Sequence, residues 1–289
     1  MEEAEAKAPP ASFLKDIVTA YRRNRLATLG AVIVVVLVLM AVFAPLLSPY
    51  DPFEIDLDAM TQAPSHAHWL GTDQFGRDLL TRIMFGTRIS LWIGIVPTLL
   101  SMALGTALGL IGGFYGGWID TAIMRLCDMV LAFPSLLLAM VVMYTLGASL
   151  VNIFIALAVV GWAGTARVVR AQVLSLREKE FVEAARAIGV RNRVIMVRHI
   201  LPNCLPALIV LFTLGIPGAI MSEATLSFLG VGAQPPTPSW GLIITSGKEY
   251  LFSAPWIAIA PGVFILITVL AFNFMGDGFR DALDPYMKQ

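Results

Sequence analysis

Charge is what this sequence has least of: Asp, Glu, Lys and Arg make up only 14% of 289 residues, against 57% hydrophobic residues and a mean hydropathy of +0.78. A soluble domain of this length keeps its surface in water with more charge than that, so the composition places the chain in a bilayer. The charges present cancel to a formal net of +0, and nothing in that balance points to a nucleic-acid partner. Cysteine is scarce as well. Cys127 and Cys204 each lie in or beside an apolar segment, where a free thiol behaves as a small hydrophobe, so no disulfide is expected. Among three histidines only His66 and His68 stand close together, in a polar loop without cysteine or a second cluster nearby. Zinc needs three or four converging ligands, so the pair reads as surface histidines and no metal site is expected.

Catalytic signatures are missing too. There is no G-x-x-x-x-G-K-[ST], and GLIGGFYGGW supplies glycines without the lysine that would reach a phosphate, so the chain is not expected to bind ATP by itself. Neither H-E-x-x-H nor G-x-S-x-G occurs, and no histidine falls inside an apolar span, which argues against an intramembrane enzyme. Ion-coupled secondary transport is the competing class. Such carriers hold ionisable groups at mid-membrane and an internal repeat, whereas the spans here hold few, chiefly Asp128 and Glu223, both nearer helix ends than centres.

What the chain has instead is long apolar runs. A membrane-spanning helix needs about 20 mostly apolar residues. Six segments qualify: 29–47, 89–114, 122–146, 150–166, 203–230 and 254–274, the third with Arg125 and Asp128 near its start. The first could pass for a secretory signal, with Val42-Phe43-Ala44 a tolerable cleavage site, but its 19 residues follow a 28-residue polar leader and suit a retained anchor better. With the N-terminus inside, 16 basic residues are cytoplasmic, including Lys7, Lys15, Arg125 and Lys288, and only Arg77, Arg82, Arg88 and Lys248 are outside, so both termini read as cytoplasmic.

Between the first two spans, residues 48–88 form an exported polar segment opening SPYDPFEIDLD. Within it Leu79, Ile83 and Gly86 fall at helical spacing, which predicts a short helix lying on the outer surface. Gly105, Gly109 and Gly113 recur every four residues in the second span and permit close helix packing. The fifth span would run roughly 42 Å as a helix, more than the roughly 30 Å hydrocarbon core. Gly215, Pro217 and Gly218 fall near its middle, and Pro217 removes a backbone hydrogen bond, which predicts a kink serving either packing or a gate. Glu223 lies beyond the kink, as a pathway or partner contact or a hydrogen-bonded structural acid. Asn273 and Asp277, closing the sixth span, read as capping and packing residues.

One polar island interrupts this pattern, FVEAARAIGVRNRVIMVRHILPN at residues 181–203. Phe181, Ala184, Ala185 and Ile188 form one helical face, and after Gly189 a second stripe forms from Val190, Val194, Val197 and Leu201, with Arg191 and Arg198 on a different face. The pattern predicts two short amphipathic helices joined at a glycine that takes a left-handed conformation, with Pro202 starting the fifth span. A loop that merely satisfies the positive-inside preference explains the arginines but not Glu183, the small alanines beside it or the two stripes. Small residues on an exposed helix face fit a docking element.

Glu183-Ala184-Ala185, three residues, then Gly189 and a terminal Leu201-Pro202 resemble the signature loop of ABC importer permeases. GTDQFGRDLLTRIMFGTRISLWIG, CDMVLAFPSLLLAM, SEATLSFLGVGAQPPTPSWG and NFMGDGFRDALDP extend the likeness to the C-type permease subunit of dipeptide, oligopeptide and nickel importers, across nearly all the chain after about residue 20. The resemblance implies an all-α integral membrane protein of the bacterial or archaeal cell membrane, with six transmembrane helices. These are an anchor at 29–47 and a five-helix type I importer core at 88–277, with a cytoplasmic segment at 1–28, an extracytoplasmic loop at 48–87, a coupling loop at 177–202 and a cytoplasmic tail at 278–289. It also implies the partners: a homologous second permease, two ATPase subunits that carry ATP and Mg, and an extracytoplasmic solute-binding protein. The substrate it implies is a dipeptide or oligopeptide, with nickel or another small solute as the alternative.

Overall fold

The computed structural model describes residue 19 and residues 21–283, so Lys7, Lys15 and Lys288 lie outside the described residues. Helix α1 (Arg25–Leu47) begins where Asn24 caps it, the side-chain oxygen accepting from Ala27 N–H at 3.1 Å. Helix α2 (Leu79–Tyr115) begins the same way at Asp78, which accepts from Thr81 N–H at 2.8 Å. There follow α3 (Gly117–Ala132), α4 (Ser135–Leu146), α5 (Leu150–Leu176), α6 (Glu180–Ala187), α7 (Asn192–Phe228), α8 (Trp240–Gly247) and α9 (Trp256–Leu283). Among the described residues no strand occurs, only an isolated bridge between Thr72 and Asp78.

Helices α1, α2, α5, α7 and α9 are each long and apolar enough to cross a membrane, and α3 with α4, bent by 91° at the break between them, makes a sixth such segment when the pair is taken as one span. The break corrects the expectation of one continuous third span. Pro134 cannot donate to the preceding turn and holds Phe133 extended (φ −91°, ψ 142°), so the helix must restart at Ser135.

Three other boundaries move. The expected surface helix at Leu79, Ile83 and Gly86 is the first part of α2, because Leu79 and Ile83 are fully buried against Trp240 rather than lying along a membrane. The arginines there do not end the helix, since each finds carbonyls: Arg82 Nη1 donates to Pro52 O at 3.0 Å, and Arg88 Nε and Nη2 donate to Ala41 O at 3.1 and 3.0 Å. Pro202 starts no new helix either. Leu201 before it is helical (φ −55°, ψ −43°), and α7 runs through the proline after a π-helical turn, Ile195–Ile200, whose wider hydrogen-bond spacing precedes the missing N–H. At the chain's far end α9 continues past 274, so Asn273 and Asp277 lie inside a helix rather than capping one.

The tightest seam joins α2 to α5. A Cβ at Gly105 would sit 2.5 Å from Trp162 O, one at Gly109 2.5 Å from Ala166 O, and one at Gly113 2.9 Å from Val173 Cβ, so the four-residue glycine spacing does bring the backbones together. At one end of this pair, residues 48–78 fold into a cap rather than a loose loop. Its anchor is Asp73, buried, which accepts from Arg77 Nε at 2.7 Å and from Phe75 and Arg77 N–H, while Arg82 Nε lies 3.3 Å away. His68, one of the two histidines read as surface residues, has Nδ1 3.0 Å from Asp78 Oδ1. Helix α6 sits at the other end, where α2 finishes at Phe114 and Tyr115.

Candidate functional site

The polar island folds as one short helix and the start of a long one. Helix α6 is rooted by Val182 and Ala185, buried among Leu110, Phe114, Val169, Val173, Ile195, Met196 and Ile200. Arg186 lies over the Phe114 ring, 5.2 Å from its centre. After Ile188 the chain reverses at Gly189, with φ +78°. Gly189 N–H bonds Arg186 O at 3.0 Å and Val190 N–H bonds Ala185 O at 3.0 Å, the paired closure of a Schellman motif that satisfies the last carbonyls of α6. This is the left-handed position that the sequence assigns to Gly189. No other atom would crowd a Cβ there, so only backbone conformation demands glycine.

The predicted first stripe divides. Ala185 turns inward with Val182, whereas Phe181, Ala184 and Ile188 stay exposed, Ile188 at 80%, alongside exposed Glu183. The second stripe is corrected more fully: Val197 is exposed, Val190, Val194 and Leu201 are only partly buried, and the inward face is Ile195, Met196 and Ile200. A π turn adds one residue per turn relative to the α spacing, which rotates the buried face away from a stripe counted at 3.6 residues. Arg191, at the N-cap of α7, and Arg198 are exposed, as is Pro202. Behind this surface α5 is tied to both α3 and α2: Arg170 donates to both oxygens of Asp120 and Arg167 pairs with Asp128, both in α3, while Arg177, just past α5, donates from Nη1 to Gly113 O of α2 at 3.0 Å.

A cavity of about 390 Å³ opens between α2, α4, α5 and α7. No Asp, Glu, Lys, Arg or His lines it; its polar groups are hydroxyls, at Thr98, Ser101, Ser135, Thr165 and Ser222. Three of these are spent on their own helices, Thr98 Oγ1 donating to Gly94 O at 2.6 Å, Ser101 Oγ to Thr98 O at 3.0 Å and Ser222 Oγ to Gly218 O at 2.8 Å. Such a wall is wettable but holds no charge that would trap a solute. Gly215 and Gly218, two of the pathway or gate candidates, line it. Pro217 and Glu223 do not: both are buried away from it, and α7 is unbroken at Pro217. Sequence reasoning missed the hydroxyl set; its signal is small and hydroxyl residues recurring at helical spacing, as in Thr98 with Ser101 and Gly161 with Gly164 and Thr165.

A helical bundle with a broken helix pair, a short exposed helix at one end and an uncharged cavity between long apolar helices is the build of a multi-pass membrane protein. Residues 105–289 match the binding-protein-dependent transport system inner membrane component, and residues 12–64 match the N-terminal TM domain of oligopeptide transport permease C. The chain belongs to this family of ABC importer permeases. It is 48% identical to the dipeptide transport system permease protein DppC of Alkalihalophilus pseudofirmus, over 92% of this chain and 88% of that protein. It is 44% identical to the glutathione transport system permease protein GsiD of Pectobacterium atrosepticum, over 93% of this chain and 89% of that one. Among solved structures the inward-facing MetNI methionine ABC transporter shares the fold, with a TM-score of 0.56 at 21% identity, over 71% of this chain and 96% of that one.

Proposed function

We propose that this permease forms one half of a peptide pathway and takes its power from separate ATPase subunits through α6. The observation that carries this reading is the build of α6: a helix rooted by only two buried side chains, ended by a left-handed turn at Gly189, and presenting Phe181, Ala184, Ile188 and Glu183 to whatever lies beyond the bundle. A short helix so exposed costs stability unless a partner covers it. ATP and Mg belong to that partner. Closure of two ATPases under α6 and its counterpart on a homologous second permease would turn the spans against each other and expose the cavity to alternate sides. The α6 end, with 16 basic residues assigned to its side, is cytoplasmic, and the cap faces the solute-binding protein.

The substrate class is a dipeptide or short oligopeptide. Its support is the relatives, a dipeptide and a glutathione transport permease, glutathione being itself a small peptide. An uncharged, hydroxyl-lined cavity suits a solute of varied side chains passing without tight binding. Reconstitution tests the whole reading: the chain alone in vesicles shows neither ATP hydrolysis nor uptake, and the complete complex shows both, with radiolabelled dipeptide accumulating inside. Accumulation by the chain alone under a proton or sodium gradient would replace this reading with secondary transport. Nickel rather than peptide retained on the purified binding protein would overturn the substrate class.

A further inference from the structure

The face of α7 that carries Gly215, Gly218, Ala219 and Ser222 lines the cavity, and Glu223 lies away from it, 1% exposed. Its Oε1 accepts two hydroxyls, from Ser227 at 2.7 Å and from Ser239 at 2.9 Å. Each hydroxyl oxygen accepts a backbone amide in return. Ala233 N–H bonds Ser227 Oγ at 3.0 Å, and Leu242 N–H bonds Ser239 Oγ at 3.2 Å. A hydroxyl has a single proton, so both are committed to the carboxyl group, and two amides beyond the end of α7 are fixed through it.

Those amides belong to the structure at the cap end of the cavity. Ala233 is inserted into a cluster with Ala139 and Met143 of α4 and Ile153 and Ala156 of α5, and Ala139 also lines the cavity. Leu242 lies in α8, whose first residue, Trp240, is fully buried and donates from Nε1 to Ile83 O at 3.2 Å and from its backbone to Ser90 Oγ at 3.2 Å. Space is made for the carboxyl group by Gly241. A Cβ there would stand 2.6 Å from Ala224 Cα and 2.9 Å from Glu223 Oε2.

We infer that Glu223 is a positioning residue: through Ser227 and Ser239 it locks the turn and α8, residues 229–243, onto the end of α7, and so holds that end of α7 in register with the helices around the cavity. Away from water a separated carboxyl group and two hydroxyls find no replacement partners, so the three stay together when α7 shifts. The transport consequence rests on the proposed pathway role of the cavity; the lock itself is a property of this chain.

The test is amide hydrogen exchange across residues 229–243 in the complete complex, read beside ATP-driven peptide uptake. Glu223→Gln keeps the accepting oxygen and should keep both protection and uptake. Glu223→Ala removes it; exchange of the segment holding Ala233 and Leu242 should speed up roughly tenfold or more, and peptide moved per ATP hydrolysed should fall several-fold. Ser239→Ala cuts one arm only, and should free Leu242 more than Ala233 even where Glu223→Ala fails to assemble. Native protection in Glu223→Ala or in Ser239→Ala would overturn the inference. So would loss of uptake in Glu223→Gln with its amides still protected, because the acid would then act by its charge. A wild-type complex without ATP-driven uptake, but with the expected exchange pattern in the variants, would sink the proposed function and leave the lock standing.

Discussion

At the cap end of α2 the chain is held by polar ties: Asp73 gathers Arg77 and two backbone amides, Asp78 holds His68 and caps a helix, and Trp256 Nε1 donates to Thr72 O at 3.2 Å. At the α6 end the hold is apolar and brief, resting on Val182, Ala185 and one ring contact, and the outward side chains are left free of the bundle. Two surfaces of one membrane protein are thus built for different loads. The cap is a finished structure that presents a fixed outline. Helix α6 is an unfinished one, stable in orientation through Gly189 yet exposed along the side away from its root. Under the proposed function, that contrast is what a part moved by an ATPase needs at one end and a part recognised in place needs at the other.

Breaking the cap should cost most. Asp73→Ala leaves Arg77 and Arg82 without their carboxylate in a buried site, a loss of about 3–5 kcal/mol. Residues 48–78 should become protease-sensitive and the Tm of the purified complex should fall, while ATPase subunits stay bound; an unchanged Tm would show that the cap is held by its backbone alone. The seam between the two ends comes next. Gly109→Leu forces a side chain into the space 2.5 Å from Ala166 O and should cost about 1–3 kcal/mol, read as a lower Tm with both ends affected together. Smallest in stability, and most selective, is Gly189→Val, at about 1–2 kcal/mol for a β-branched residue held left-handed. Insertion and the cap should be native and ATP-driven uptake lost, whereas Gly189→Asn should keep most of the uptake because asparagine tolerates that conformation. Equal transport from valine and glycine at this position would erase the distinction between the ends.

Much of this contrast can be read in the residues. Apolar runs announce the long helices, the glycine spacing at 105, 109 and 113 announces the α2–α5 seam, and Glu183-Ala184-Ala185 with Gly189 announces α6 and its turn. What escapes a periodicity count is whatever depends on a partner distant in sequence. Leu79 and Ile83 look like the apolar side of a surface helix until Trp240 covers them. Glu223 reads equally as a pathway or partner contact and as a hydrogen-bonded structural acid, and Ser239, which meets it from beyond the turn, lies outside any count along its own helix. The register of the buried face after Gly189 is displaced by a π turn, and the third span is broken at Pro134 although its hydropathy runs on. A residue count along one helix has no term for either.

The central claim is that α6 is the surface on which the ATPase pushes. Ile188, 80% exposed beside Gly189, is the place to ask. With Ile188→Cys in the reconstituted complex, a short thiol cross-linker should join this chain to an ATPase subunit, the yield should change with ATP, and the joined complex should no longer take up peptide. The same reagent at Trp69→Cys on the cap should never capture an ATPase. Native ATP-driven uptake with no ATPase cross-link at position 188 would contradict the account.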